Sequence, residues 1–230
     1  MARAWEELFP LKSSRRELAL RLCGAGQAFL DAGCGTGSLV RALASEGRRS
    51  FGFDLDEGFV AEAGRRIQME SSTARIAQGD LRGVARVFPG QRFDLVACLG
   101  QTLPHLLTDE DLQAFFVGAG EVLNPGGSLL VQVVNDQGMP LVRELPPLSG
   151  GGVVLGRRRI LVSDRLARFE TEIDSEGGVE RLAVSHRRLD PVELLELIGS
   201  DGWRQADLWS DEAGAPFSGK STGWLLRLVR

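Results

Sequence analysis

Apolar residues fall in two alternating rhythms over the first 135 positions. Short continuous runs, QAFLD (27–31), RSFGFDL (49–55), ARIAQGD (74–80), RFDLVACLG (92–100) and SLLVQVVN (128–135), have the length and content of buried strands. Between them lie stretches with helical spacing: SLVRALASEG (38–47), FVAEAGRRIQME (59–70) and TDEDLQAFFVGAGEVLNPGG (108–127). Thr108 is placed to cap the last of these, with Asp111 at the third helical position, and Asn124-Pro125-Gly126-Gly127 ends it. Strands and helices in this order predict right-handed crossovers and a parallel, doubly wound α/β sheet. Upstream, leucines among charges from 5 to 23 predict an amphipathic helix broken near Pro10.

The rhythm changes near residue 136. DQGMPLVRELPPLSGGG (136–152) reads as a loop. VVLGRRRILVSD, RLARFETEID and GVERLAVSHRRLD then read as antiparallel strands, with a turn at DSEGG (174–178). DPVELLELIGSDG (190–202) is a helix with Asp190 as cap and Pro191 at its first position, and WRQADLW and TGWLLRLV supply two last strands. The expected organisation over 1–230 is one domain: a helical segment (1–26), a core (27–135), a β insertion covering one end of the sheet (136–190), and a closing helix and strand pair (191–230).

Composition narrows the partners. A formal charge of −4 argues against a nucleic-acid binder. No apolar run reaches bilayer length, and MARAWEELFP lacks a signal-peptide core. Three cysteines without C-x-x-C spacing predict neither disulfides nor a metal site, and suit a reducing cytoplasm. Residues 157–190 hold eight arginines and seven acids, read as cross-strand ion pairs, or alternatively as a basic lid for an anionic metabolite.

The chemistry concentrates in FLDAGCGTGSLV (29–40). Glycines at a strand-to-helix turn bring main-chain N–H groups close to a ligand at the helix start. Asp54, ending the next strand, suits a ribose. The dinucleotide pattern needs glycine at 38, where Ser38 stands, and Asp31 just before the glycines suits an ammonium better than a pyrophosphate. Ribose at one end and an amino acid at the other describe S-adenosylmethionine.

DAGCGTG, GFDLD, QGD, FDLVACLG and LNPGG, in that order, resemble the class I S-adenosylmethionine-dependent methyltransferases. The resemblance implies a Rossmann-like seven-stranded sheet with the last strand antiparallel. It implies Asp31 near the cofactor's amino group and Gly33, Gly35, Thr36 and Gly37 around its methionine part. Asp54 would hold the ribose, Leu55 the adenine face, Asp80 and Leu81 the adenine edge, and Leu99 and Gly100 the sulfonium side. CLGQTLPHL (98–106) is similar to a segment of the glycine and sarcosine N-methyltransferases, which nominates Gln101 and His105 for acceptor contact or base chemistry. Those enzymes use tyrosines, and this chain has none, so glycine itself is not the expected acceptor. His186 can overhang the site, Trp5 and Phe9 can wall it, and Arg15 or Arg16 can reach a carboxylate. The expected activity is methyl transfer to N or O of a small molecule, giving S-adenosylhomocysteine. A non-catalytic S-adenosylmethionine-binding or partner-binding module, or an RNA or protein methyltransferase, are the alternatives.

Overall fold

A computed structural model describes the backbone of residues 1–230 and every side chain except that of Ser200. Two short N-terminal helices, α1 (Trp5–Leu8) and α2 (Ser13–Leu22), flank Pro10 as the pattern requires. The core then runs β1 (Ala28–Ala32), α3 (Ser38–Ser45), β2 (Arg49–Asp54), α4 (Glu57–Met69), β3 (Arg75–Gln78), α5 (Val84–Val87), β4 (Phe93–Cys98), α6 (Asp109–Val122) and β5 (Leu123–Val134). Four antiparallel strands follow, β6 (Val142–Gly150), β7 (Val153–Leu161), β8 (Leu166–Ser175) and β9 (Gly178–Arg187). Helix α7 (Pro191–Ile198) and strands β10 (Arg204–Trp209) and β11 (Gly223–Val229) close the chain.

The large sheet has the order β10-β11-β5-β4-β1-β2-β3. All its strands run parallel except β11, which pairs antiparallel with both β5 and β10. Strand β1 is buried along its whole length, as its uninterrupted apolar run predicts, and apolar clusters fill both faces of the sheet. Helix α3 lies so close to β2 that a β-carbon on Gly52 would stand 2.7 Å from Val40. The predicted caps are in place, Thr108 accepting from Asp111 and Asp190 from Val192 and Glu193, and Asp56 likewise accepts from the Phe59 N–H at the start of α4. Among the described residues no helix is long and apolar enough to cross a membrane.

One expectation is corrected. Residues 136–152 are not all loop, because β6 occupies Val142–Gly150 despite Pro146 and Pro147. These prolines fall where the β6–β7 register shifts between Leu145 and Leu148, on the outermost strand of the small sheet. An edge strand with a bulge can do without those two N–H groups. The turn before β9 is also tighter than DSEGG suggests: Ser175 pairs with Gly178, leaving Glu176 and Gly177 as the loop.

Candidate functional site

The order of the large sheet reverses between β1 and β4, so the loops that follow these strands flank one crevice. The loop after β1 holds Gly33, Gly35 and Gly37 at φ of 83°, 54° and 75°. Main-chain bonds from Gly33 and Cys34 to the Phe53 carbonyl, 2.8 and 2.9 Å, tie it to the end of β2. Asp54 completes the tie: its Oδ2 accepts the Gly35 N–H at 2.8 Å and its Oδ1 the Asp56 N–H at 3.0 Å. A carboxylate has about four acceptor positions, so two remain for a ligand.

Asp31 sits beneath this loop with 6% of its surface exposed and no hydrogen bond to its carboxylate among the described residues. Burial pushes its carboxyl up to about 7; Arg15 pulls down and the charge of Asp54 adds to the rise. A nearly buried acid without a donor is suited to receive a cation. Arg15 belongs to a second network, donating to Gln132 Oε1 at 2.8 Å and lying 3.4 Å from Glu212 Oε1. Gln132 also accepts the Gly100 N–H at 3.1 Å, so α2, β5 and the loop after β10 converge under the turn that follows β4. Arg16, by contrast, pairs with Glu46 on the surface.

The N-terminal segment clamps the glycine loop from outside. Glu6 accepts from Thr36 Oγ1 at 2.8 Å, from Arg41 at 3.1 Å and from Arg66 at 2.8 Å. Thr36 is fully buried, and its hydroxyl is committed to Glu6. The indole Nε1 of Trp5 stands 3.2 Å from where a Gly35 β-carbon would be, so only glycine fits there without displacing the ring. Phe9 and Phe59 pack on Trp5 at 4.3 and 4.6 Å between ring centroids.

On the other side of the crevice, Gly100 and Gln101 both have φ of 71°, a left-handed conformation that Gln101 adopts against its intrinsic preference. The Gln101 Oε1 accepts the Val134 N–H at 2.7 Å, while its Nε2 is buried without an acceptor. His105 follows one turn later, exposed, and meets His186 of β9 edge to face at 4.5 Å. Partial desolvation of the ring lowers the pKa of His105, against an opposing pull from Asp54. His186 is pushed down to about 3 by burial, by His105 and by Arg159. Arg159 donates to His186 Nδ1 at 3.2 Å and to both oxygens of Asp136. Because arginine has only donors, His186 Nδ1 must accept, and its proton sits on Nε2.

The remaining sequence-predicted residues are spread along the same edge. Leu55 is 66% exposed, available as a platform. Asp80 caps the turn at Leu81 and pairs with Arg82, which holds its carboxyl below the usual carboxylate range. The side chains of Leu81 and Leu99 are buried in the core. Burial raises the thiols of Cys34 and Cys98, which disfavours the nucleophilic thiolate. Among the described residues there is no cluster able to hold a metal. Sequence reasoning missed Glu6, Gln132, Glu212, Asp136 and Arg159. Glu212 lies 197 positions from Arg15, and no local pattern signals a contact at that range.

Residues 29–127 match the family described as Methyltransferase domain. The demethylmenaquinone methyltransferase of Tropheryma whipplei is 33% identical over 122 residues, 50% of this chain and 46% of that protein. The ubiquinone biosynthesis O-methyltransferase of Pseudomonas aeruginosa strain PAO1 is 35% identical over 112 residues, 48% of this chain and 46% of that protein. The matched region thus spans about half the length of these curated relatives. Among solved structures, an S-adenosylmethionine-dependent methyltransferase from Clostridium acetobutylicum superposes with a TM-score of 0.81 at 15% identity, covering 97% of this chain and 95% of that one. An amino pentose methyltransferase from Micromonospora echinaspora, solved with S-adenosylmethionine bound, gives 0.69 at 20% identity over 94% and 92% of the two chains. At these identities the structures establish the shared fold.

Proposed function

We propose that this chain, whose residues 29–127 match the methyltransferase domain model and which has the class I fold, moves a methyl group from S-adenosylmethionine to nitrogen or oxygen of a small-molecule acceptor. The observation that carries the reading is Asp31, a buried carboxylate without a donor beside a glycine cradle. It fits the cofactor's ammonium, and Asp54, with two acceptor positions to spare, fits the ribose hydroxyls. Main-chain groups of Gly33, Gly35, Thr36 and Gly37 line the methionine part. Leu55 covers the adenine, Asp80 and the Leu81 main chain meet its edge, and Leu99 and Gly100 close the sulfonium side.

When bound, S-adenosylmethionine supplies an electrophilic methyl group with a neutral leaving group. The chain's task is then alignment, exclusion of water and disposal of one proton. Gln101 Nε2, buried with no acceptor, is available to orient the acceptor atom. His105, whose pKa partial desolvation lowers, is available to take the proton that an N–H or O–H acceptor releases. Residues 136–190 serve as a fixed cover over the acceptor side. The names of similar proteins, a ubiquinone biosynthesis O-methyltransferase and a sugar N-methyltransferase, support a small-molecule acceptor at N or O. They lend no support to the glycine and sarcosine subgroup. Three free, buried cysteines suit a reducing cytoplasm.

Calorimetric titration with S-adenosylmethionine, S-adenosylhomocysteine and NAD tests the reading. Binding of the two sulfur ligands and not NAD is expected. NAD binding with silence from the other two would overturn it, and binding without turnover of any metabolite pool would favour a sensing module.

A further inference from the structure

The small sheet is fixed at both ends of its inner face. At one end Leu155 and Ile173, paired across β7 and β8, are buried against Ala4 and Leu8 around α1. At the other, His186 meets His105, Arg159 binds Asp136, and Arg187 pairs with Asp109. Helix α1 rests on the glycine loop and His105 follows Gly100, so the rows between these anchors roof the crevice. One such row is Arg157, Thr171 and Leu182, cross-strand neighbours on the inner face.

Arg157 differs from the other arginines of the insertion. Arg158 and Arg168 pair with Glu170, Arg181 with Glu172, Arg159 and Arg188 with Asp136, and Arg187 with Asp109. Arg143 on β6 and Arg165 in the turn before β8 lie exposed. Arg157 is half-buried, and among the described residues no carboxylate lies within 4.0 Å of it. Its guanidinium lies 5.7 Å from the centre of the Phe9 ring, which packs on Trp5, and Trp5 packs on Gly35. One nitrogen donates to the Pro146 carbonyl at 2.9 Å, and Nε is buried without an acceptor. A partly desolvated cation whose only partners are an aromatic face and a neutral carbonyl lacks the counter-charge that such groups normally have.

Resting on the methyltransferase reading above, we propose that Arg157 anchors an oxyanion of the acceptor, a carboxylate or a phosphate, under the roof of the crevice. The methylated atom then lies toward Gln101 and His105, and the anion toward Phe9. Acceptors without an anionic group are poor ligands of this site.

The test uses the full chain saturated with S-adenosylhomocysteine, titrated calorimetrically with benzoate, phenyl phosphate and benzamide. In the unaltered protein at least one anion is expected to bind tenfold or more tighter than benzamide, and the tighter anion identifies the natural group. Arg157→Gln should abolish that preference, and Arg157→Met, which keeps an aliphatic stem on Phe9, should do the same. Arg158→Gln, with the same charge change on the outer face, should preserve it. Absence of anion binding, equal binding of benzamide, a preference surviving both Arg157 variants, or equal loss in Arg158→Gln would each overturn the proposal. Failure of S-adenosylhomocysteine itself to bind would instead remove the methyltransferase reading.

Discussion

Arg159 and Asp136 form a doubly hydrogen-bonded ion pair with 4% and 7% of their surfaces exposed, joining β7 to the residues just after β5. It is a buried bond between the small sheet and the core. Taking one partner away leaves the other charge without compensation, so Asp136→Ala should cost about 3–5 kcal/mol in urea unfolding. Replacing both by apolar residues, Arg159→Met with Asp136→Leu, should cost much less. The double variant should also release His186 Nδ1 from its donor, a change that nitrogen chemical shifts would report.

Asp31 sets a pH dependence. Its carboxyl ionises near 7 in the fold against an ordinary 3.8, so the free protein is stabilised by the protonated form at low pH. That contribution is complete below the ordinary value and is lost as pH rises through about 7. A cationic ligand needs the ionised acid. Affinity for S-adenosylhomocysteine should therefore fall by up to about tenfold per unit below that point. Asp31→Asn should flatten the profile and weaken binding by about 2–5 kcal/mol, as expected for truncating a buried charge pair. His105→Gln should leave this limb in place, because the limb belongs to the carboxyl of Asp31.

Gln101 combines a strained backbone with a side-chain bond to the Val134 N–H. Gln101→Ala keeps the strain and loses the bond, for a cost of about 1–3 kcal/mol in thermal or urea unfolding. Gln101→Gly relieves the strain and should be less destabilised than the alanine variant. Both should lose turnover while keeping cofactor affinity, which separates a role with the acceptor from one with the donor.

Glu6 gathers Thr36, Arg41 and Arg66 at once. Glu6→Ala should loosen the outer wall of the glycine loop, weakening S-adenosylhomocysteine binding in calorimetry. Arg41 retains Glu70 as a partner at 2.9 Å, so the fold should lose only about 1–3 kcal/mol.

Features that were legible in the sequence are those with a short-range cause. Buried parallel strands read as apolar runs, Asp56, Thr108 and Asp190 stand where helix starts need oxygen acceptors, and the glycines mark a turn only they can make. Strand β6 was hidden because Pro146-Pro147 signals a break unless the strand is known to be an edge. The uses of Glu6, Glu212 and Arg159 were hidden for another reason. Each is an ordinary surface-type residue in its own segment and acquires a role from partners far along the chain. Even Thr36, nominated as part of the loop, spends its hydroxyl on a residue 30 positions away.

A sheet fastened at α1 and again at His105 and Asp136 is an arch, not a flap. Flaps trap small guests by swinging shut, and their opening then limits turnover; an arch leaves its flanks open while the span stays put. Molecules reach such a site sideways, and a long one can protrude while only its reactive end passes beneath the keystone. On the proposed reading, the size ceiling for acceptors is set by the height of that passage and not by the volume of any closed chamber.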